Sequence, residues 1–213
     1  MLSIVDTETG NLQSVANAFR RVGLETIVVE TAAKLERAQA IALPGVGAFE
    51  QGMSALRDKG LIEPLLRRAN GDGVPLLGIC LGMQLLADSS EELGNFAGLG
   101  LIPGRVIRLE MTRKGFRVPN FGWHVVTPCR AGVLFSAGAG PESFYFAHSY
   151  HFRCDRPEDA AATIDFSDRP ITVALEHGNV FGVQFHPEKS QDAGLDVLER
   201  FARYVREKGP ADR

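Results

Sequence analysis

The runs "LSIVD", "ETIVVE", "AIALPG" and "VPLLGIC" in the first 80 residues constrain the fold more than any other feature of this chain. Apolar residues occupy consecutive rather than alternate positions in them. Strands of that kind must be covered on both faces, as in a parallel sheet. Between the first two runs, Leu12, Val15, Ala16, Phe19 and Val22 recur at helical spacing, and Gly23 supplies a stop. A second helical pattern runs from about Gly52 to Ala69, with breaks expected near Gly60 and Pro64, and Met83 to Ala87 open a further helix. Strands alternating with helices across short Gly/Pro turns predict an α/β fold, an open mostly parallel sheet with flanking helices.

After Gly98 the texture changes. "RVIRLEM", "HVVTP", "ESFYFAH", "AAATI", "ITVALEH" and "NVFGVQF" are closely spaced strand candidates with few helices between them. An antiparallel strand extension of the same sheet is therefore expected in the C-terminal half. One helix closes the chain, with Leu195, Leu198, Phe201, Ala202 and Val205 on one face. "KGPADR" reads as a frayed tail, disordered from about residue 208. The 213 residues, 45% of them hydrophobic, suffice for one core, and no linker or repeat divides them. A single domain spanning 1–213 is the expectation.

With 23 basic and 26 acidic residues the formal charge is −3, so no global field points to nucleic acid. Arg105, Arg108, Arg113, Lys114 and Arg117 form a local basic cluster, either a solvated face or a docking rim. The three cysteines, Cys80, Cys129 and Cys154, include no CxxC pair and suit the reduced thiols of a cytoplasmic protein. "MLSIVDTETG" meets Asp6 almost at once and does not read as a signal peptide. No apolar run approaches the ~18 residues of a membrane span.

Chemistry concentrates in "GICLG". Gly78, Cys80 and Gly82 have the spacing of a nucleophile elbow, a sharp strand-to-helix turn in which side chains two residues away would collide. The N–H of Leu81 would then face an oxyanion. The same stretch also suits a buried free cysteine that merely fills a core.

A thiolate needs a base, and five histidines are available: His124, His148, His151, His177 and His186. His186 follows the strand "NVFGVQF", and Glu188 lies close enough to turn back and orient its ring. His177 precedes the hairpin turn Gly178-Asn179 and is expected to face solvent. His148 and His151 flank "SY" and could line a pocket or cap it. No histidine and cysteine set has metal-ligand spacing, and no cofactor motif is present.

"PGVGAF", "GICLGMQLL" and "FHPEKS", in this order and at these distances, resemble a class I, triad-type glutamine amidotransferase domain over residues 2 to about 204. The resemblance implies Cys80 as nucleophile, His186 as base and Glu188 as its orienting carboxylate. It implies L-glutamine as substrate, with glutamate and ammonia as products. "PGVG" matches the family's oxyanion strand, so Val46 would supply the second oxyanion N–H, with Gly45 and Gly47 against the substrate. Gln84, Ser149 and Tyr150 match substrate-contacting positions; Tyr150 could equally be a packed aromatic.

A longer set, "TGNLQSV", "SEE", "GLGLIPG", "GW", "YFAHSY" and "QFHPEKSQDAGLDVLERF", resembles the glutaminase subunits of imidazole glycerol phosphate synthase. The partner implied is a separate (β/α)8 barrel cyclase, forming a heterodimer. That barrel uses ammonia to turn a phosphoribosyl formimino carboxamide ribonucleotide into imidazole glycerol phosphate and AICAR, in histidine biosynthesis. Asn11, Asn120, Trp123 and Lys189 would border the partner or the ammonia path, with the loop Thr9 to Leu12 as a contact. Relatives usually carry "PHxGWN" where this chain has "PNFGWH", which places Asn120 and His124 at exchanged residue types, and "DTETGNL" replaces the commoner "DYGMGNL". Amidotransferase subunits of sugar amidation or anthranilate pathways, and a stand-alone γ-glutamyl cysteine hydrolase, are the alternatives. Dependence on a barrel partner discriminates them.

Overall fold

The computed structural model describes residues 1–8, 10–112 and 115–209. Thr9 of the first loop, Arg113 and Lys114 of the basic cluster, and the last four residues of the tail lie outside the described residues.

The first half alternates strands and helices: β1 (Leu2–Val5), α1 (Leu12–Arg21), β2 (Thr26–Val29), α2 (Ala32–Leu35), β3 (Ala40–Gly45), α3 (Phe49–Asp58), α4 (Ile62–Leu66), β4 (Leu76–Cys80) and α5 (Leu81–Leu85). Two short strands follow, β5 (Ser89–Ser90) and β6 (Phe96–Ala97). Then come β7 (Gly104–Arg108), β8 (Asn120–Pro128), β9 (Glu142–His148), β10 (Tyr150–Cys154), β11 (Ala160–Phe166), β12 (Arg169–His177), β13 (Val180–Val183) and α6 (Gln191–Lys208).

Strand order among the described residues is β2-β1-β3-β4-β13-β12-β10-β7-β5-β6, with β11 joining β12 to β8 and β9 beyond it. Pairing is parallel from β2 through β13, and β12 then runs antiparallel to β13. β13 is thus the seam where the parallel half meets the antiparallel extension.

Alternation within the parallel strands feeds two cores. Leu2, Ile4, Ala40, Ala42, Leu77 and Ile79 face one, where α1 and α6 bring Phe19 and Phe201 edge to face at 6.2 Å. Val5, Ile41, Leu43 and Leu76 face the other, under Met53 and Leu56 of α3 and Leu65 of α4. Both faces are dry, which is why these strands read as unbroken apolar runs.

Several boundaries differ from the sequence reading. The break in the long helical pattern falls at Gly60, which adopts φ 62°. Pro64 instead sits in the first turn of α4, where its missing N–H has no helical partner to lose. α5 starts at Leu81, immediately after Cys80, two residues earlier than the expected Met83. β8 begins at Asn120 rather than His124. β13 ends at Val183, so His186 lies in the turn beyond the strand rather than at its end. His177, expected in solvent, donates from Nδ1 to Asp159 Oδ1 at 2.9 Å and abuts Arg156. No helix among the described residues is long and apolar enough to cross a membrane.

Candidate active site

β4 carries Cys80 to the carboxyl edge of the sheet, where it pairs with Gly45 of β3. The chain turns there at φ 54° and ψ −109°, a left-handed conformation that side chains rarely adopt. Only glycines permit the turn. A Cβ on Gly78 would stand 2.6 Å from the carbonyl oxygen of Gly82, and one on Gly82 would overlap the carbonyl oxygen of Leu43. The elbow is therefore a close approach of three backbones, with the thiol lifted above them.

His186 reaches the sulfur from the turn that follows the neighbouring strand β13. Its backbone N–H donates to Tyr145 O at 2.9 Å, and its carbonyl accepts from Ser190 Oγ at 2.6 Å, which fixes the turn before the 3-10 segment Pro187–Lys189. Nδ1 donates to Glu188 Oε1 at 2.9 Å, and both side chains are about 5% exposed. With Nδ1 engaged, the ring's hydrogen bond to Cys80 falls to Nε2. Burial pushes the His186 imidazolium down, but the hydrogen bonds and charges of Cys80 and Glu188 outweigh it and raise the pKa to about 9. A pKa of about 9 keeps the His186 ring protonated beside the sulfur at neutral pH.

A cavity of about 230 Å³ opens over the thiol. Val46, Gly47, Leu81, Gln84, Ser149 and Tyr150 line it together with Cys80, so the structure brings these sequence-selected residues to one place. Gly45 is not in the cavity wall but packs against Leu81, to whose Cβ an added Cβ would come within 3.3 Å. Thr7 Oγ1 donates to Pro44 O at 3.3 Å, and Gly10 passes beside Gly45 and the Val46 nitrogen, so the first loop buttresses the oxyanion strand.

Glu92 was not among the selected site residues, although "SEE" contained it. Its carboxylate lines the cavity while Oε2 accepts from Phe49 N at 2.7 Å. It is suited to meet an ammonium group. His148 also lines the cavity, whereas His151 is buried elsewhere with Nδ1 toward Phe152 O. Burial, the largest influence, lowers the His148 pKa to about 4, so the ring is neutral. Gln184, missed as well, is fully buried beside the sulfur.

The residues expected at the partner face divide. Asn120 is 3% exposed and donates from Nδ2 to His148 Nε2 at 2.9 Å, so it stands inside the fold rather than on a free outer face. Asn11 is exposed but serves as the N-cap of α1, accepting from Ser14 N at 3.1 Å. Trp123 is 48% exposed, edge-on to Tyr145, and Lys189 Nζ lies 5.9 Å from the same Tyr145 ring. Among the described residues no group of three or more His, Cys, Asp or Glu side chains is arranged to hold a metal ion.

Comparison with known proteins agrees with this geometry. The family model described as class I glutamine amidotransferase matches residues 3–204. The chain is 43% identical to the protein named imidazole glycerol phosphate synthase subunit HisH of Chlorobaculum tepidum, covering 96% of this chain and 100% of that one. It is 45% identical to the protein of the same name from Methanothermobacter thermautotrophicus, over 97% and 100%. Among solved structures, PurLQS from Thermotoga maritima superposes with a TM-score of 0.74 at 20% identity, covering 96% of this chain and 98% of that one. A structure described as a glutamine amidotransferase gives 0.72 at 22% identity, over 96% and 97%. The structural likenesses speak to the fold, and the family match and sequence identities go further: this chain belongs to the class I glutamine amidotransferase family.

Proposed function

We propose that this chain is the glutaminase subunit of an imidazole glycerol phosphate synthase, releasing ammonia from L-glutamine for a (β/α)8 cyclase partner. The observation that carries the reading is the buried Cys80–His186–Glu188 array opening on a cavity whose walls hold a carboxylate and an amide. Its likeness to two HisH proteins over nearly the whole chain supports the pathway.

In this reading the Cys80 thiolate attacks the side-chain carbonyl carbon of glutamine. The developing oxyanion is met by the N–H groups of Leu81 and Val46. Imidazolium Nε2 of His186 gives its proton to the departing nitrogen, ammonia leaves, and a γ-glutamyl thioester remains. Water then enters; His186 takes its proton as hydroxide adds to the thioester carbon. Collapse releases glutamate and restores the thiolate. Glu188 keeps Nδ1 protonated and the ring aligned throughout. Glu92 would meet the α-ammonium group, with Gln84, Ser149 and Tyr150 along the rest of the substrate.

The partner would dock on the outer face of β8, where Phe121, Trp123 and Val125 are 65%, 48% and 56% exposed in an alternating stripe. The Trp123–Tyr145–Lys189 group continues that face, and Tyr145 lies 6.4 Å, ring to ring, from His186. Ammonia would leave along it.

The test is the steady-state glutaminase rate with and without the cyclase and its nucleotide. Slow hydrolysis alone and strong stimulation in the loaded complex are expected. The Gly45–Gly47 backbone and the loop against it give a place for that gating, since one misdirected oxyanion donor costs about 10²–10³ in rate. Trp123→Ala should uncouple nucleotide binding from the rate while sparing basal hydrolysis. Full activity of the isolated chain, indifferent to the cyclase, would favour the stand-alone hydrolase.

A further inference from the structure

The nucleophile has a hydrogen-bond partner besides His186. Gln184 is the first residue past β13 and has no exposed surface. Its backbone N–H is spent on Val173 O at 2.8 Å. Its neighbours Val183 and Phe185 are buried and apolar, so packing alone would be served by a hydrocarbon. A primary amide there needs polar partners at both ends.

It has them. Gln184 Oε1 accepts from Gln84 Nε2 at 2.9 Å, and Gln184 Nε2 donates to Cys80 Sγ at 3.8 Å, a sulfur-length contact. The orientation of both amides follows from one backbone group. Gln84 Nε2 also donates to Tyr150 O at 3.0 Å, and a carbonyl can only accept. Gln84 must therefore present its NH₂ end, Gln184 must receive it with oxygen, and only the Gln184 NH₂ remains to face the sulfur. On the far side, Tyr150 O accepts a second bond from His148 Nδ1 at 2.8 Å, so the anchor of the chain is itself fixed.

We propose that Gln184 is a positioning residue for the nucleophile: its amide donates to Cys80 Sγ, supports the thiolate and fixes its direction, with Gln84 holding that amide against the cavity wall at Tyr150. This rests on the reading of Cys80 as the nucleophile and adds a second donor to the sulfur that the triad does not contain. Gln184 does not line the cavity, so it acts on the sulfur and leaves glutamine binding largely to others.

The test is the pH profile of iodoacetamide alkylation at Cys80, followed by mass mapping of the peptide in the full chain, for the wild type, Gln184→Met and Gln184→Glu. Losing one charge-assisted donor should move the acid limb up by about one pH unit in Gln184→Met, a roughly tenfold loss of reactivity at neutral pH. Gln184→Glu should move it further, because a carboxylate then faces the sulfur. In the complex, kcat for glutamine should fall about tenfold or more in both variants, with KM changing less than about threefold. A merely structural role would lower thermal stability and leave the alkylation limb in place. Superimposable profiles for wild type and both variants would overturn the proposal, whatever happens to kcat. Should the Met variant fail to fold, the isosteric Glu variant carries the test. A wild-type Cys80 that resists alkylation at every pH would instead fault the nucleophile assignment, and the proposal with it.

Discussion

Replacing Gly78 by alanine asks how much of the rate resides in the closeness of the elbow. The added methyl would stand 2.6 Å from Gly82 O and 2.7 Å from both Gly82 C and Met83 N. These are backbone atoms of the first turn of α5, so no rotamer change relieves the overlap. Ordinary contact begins near 3.4 Å, which requires α5 and β4 to part by about 0.8 Å (3.4 minus 2.6). β4 cannot easily yield, because Gly78 is paired with Leu43 on one side and Gly182 on the other. The movement falls on α5, whose first residue supplies the Leu81 N–H. Misplacing a reacting group by 1 Å can cost ~10²-fold, so kcat should drop about 30- to 100-fold. Overpacking of this size costs about 1–3 kcal/mol, leaving a folded protein. Glutaminase kinetics in the partner complex, beside a thermal melt, measure both. Gly140→Ala, whose Cβ meets nothing within 4 Å, is the control. A folded Gly78→Ala protein with wild-type kcat would refute the idea that this contact sets the catalytic geometry.

Cys80→Ser should abolish glutamine hydrolysis yet leave the cyclase reaction with added ammonium salt intact; near-normal glutaminase activity in this variant would move the nucleophile elsewhere. His186 has its pKa raised from 6.5 to about 9, so its contribution to folding is complete below pH 6.5 and is lost as pH rises through about 9. Wild type should therefore lose about 3 kcal/mol more than His186→Gln between those limits, read by denaturant unfolding across pH, and parallel curves would count against the buried ion pair. Glu188→Gln keeps an acceptor for Nδ1 and removes its charge, so its kcat loss should be smaller than that of His186→Ala; the reverse order in side-by-side kinetics would contradict the orienting role. An electrophilic glutamine analogue should label Cys80 alone: Cys129 is exposed but remote from the cavity, and burial pushes the Cys154 thiol up to about 11. Adduct mapping at Cys129 or Cys154 would contradict the site.

The parallel half was legible because burial on both faces leaves a local trace, an unbroken apolar run. The elbow was legible in part for a similar reason, since Gly78 is demanded by the backbone of Gly82 and Met83 within five residues, whereas Gly82 answers to the Leu43 carbonyl of β3. Asn120 shows where such reading ends. Nothing near it in sequence says that its amide closes on His148, a partner 28 positions away across β8 and β9. Gln184 was hidden in the same way: inside an apolar run it looks like a strand's polar exception, and its meaning comes from Gln84, 100 positions away. His177, expected in solvent because it precedes a turn, is 37% exposed, but its partner Asp159 comes from a different segment. Local rules report backbone demands well. Side-chain partnerships made through the folded sheet leave no mark in the order of residues.

β13 joins the two halves of the sheet, and that placement bears on when the proposed site is assembled. The thiol is made with the first 80 residues, but its base arrives only after β13 has been synthesised and inserted between β4 and β12. Such a non-local pairing forms late, and domains emerge from the ribosome N-terminus first. A growing or prematurely ended chain therefore carries Cys80 without His186, and in the proposed mechanism it would not split glutamine. In the proposed reading, the means to release ammonia would come only with the strand that also joins the two halves of the sheet.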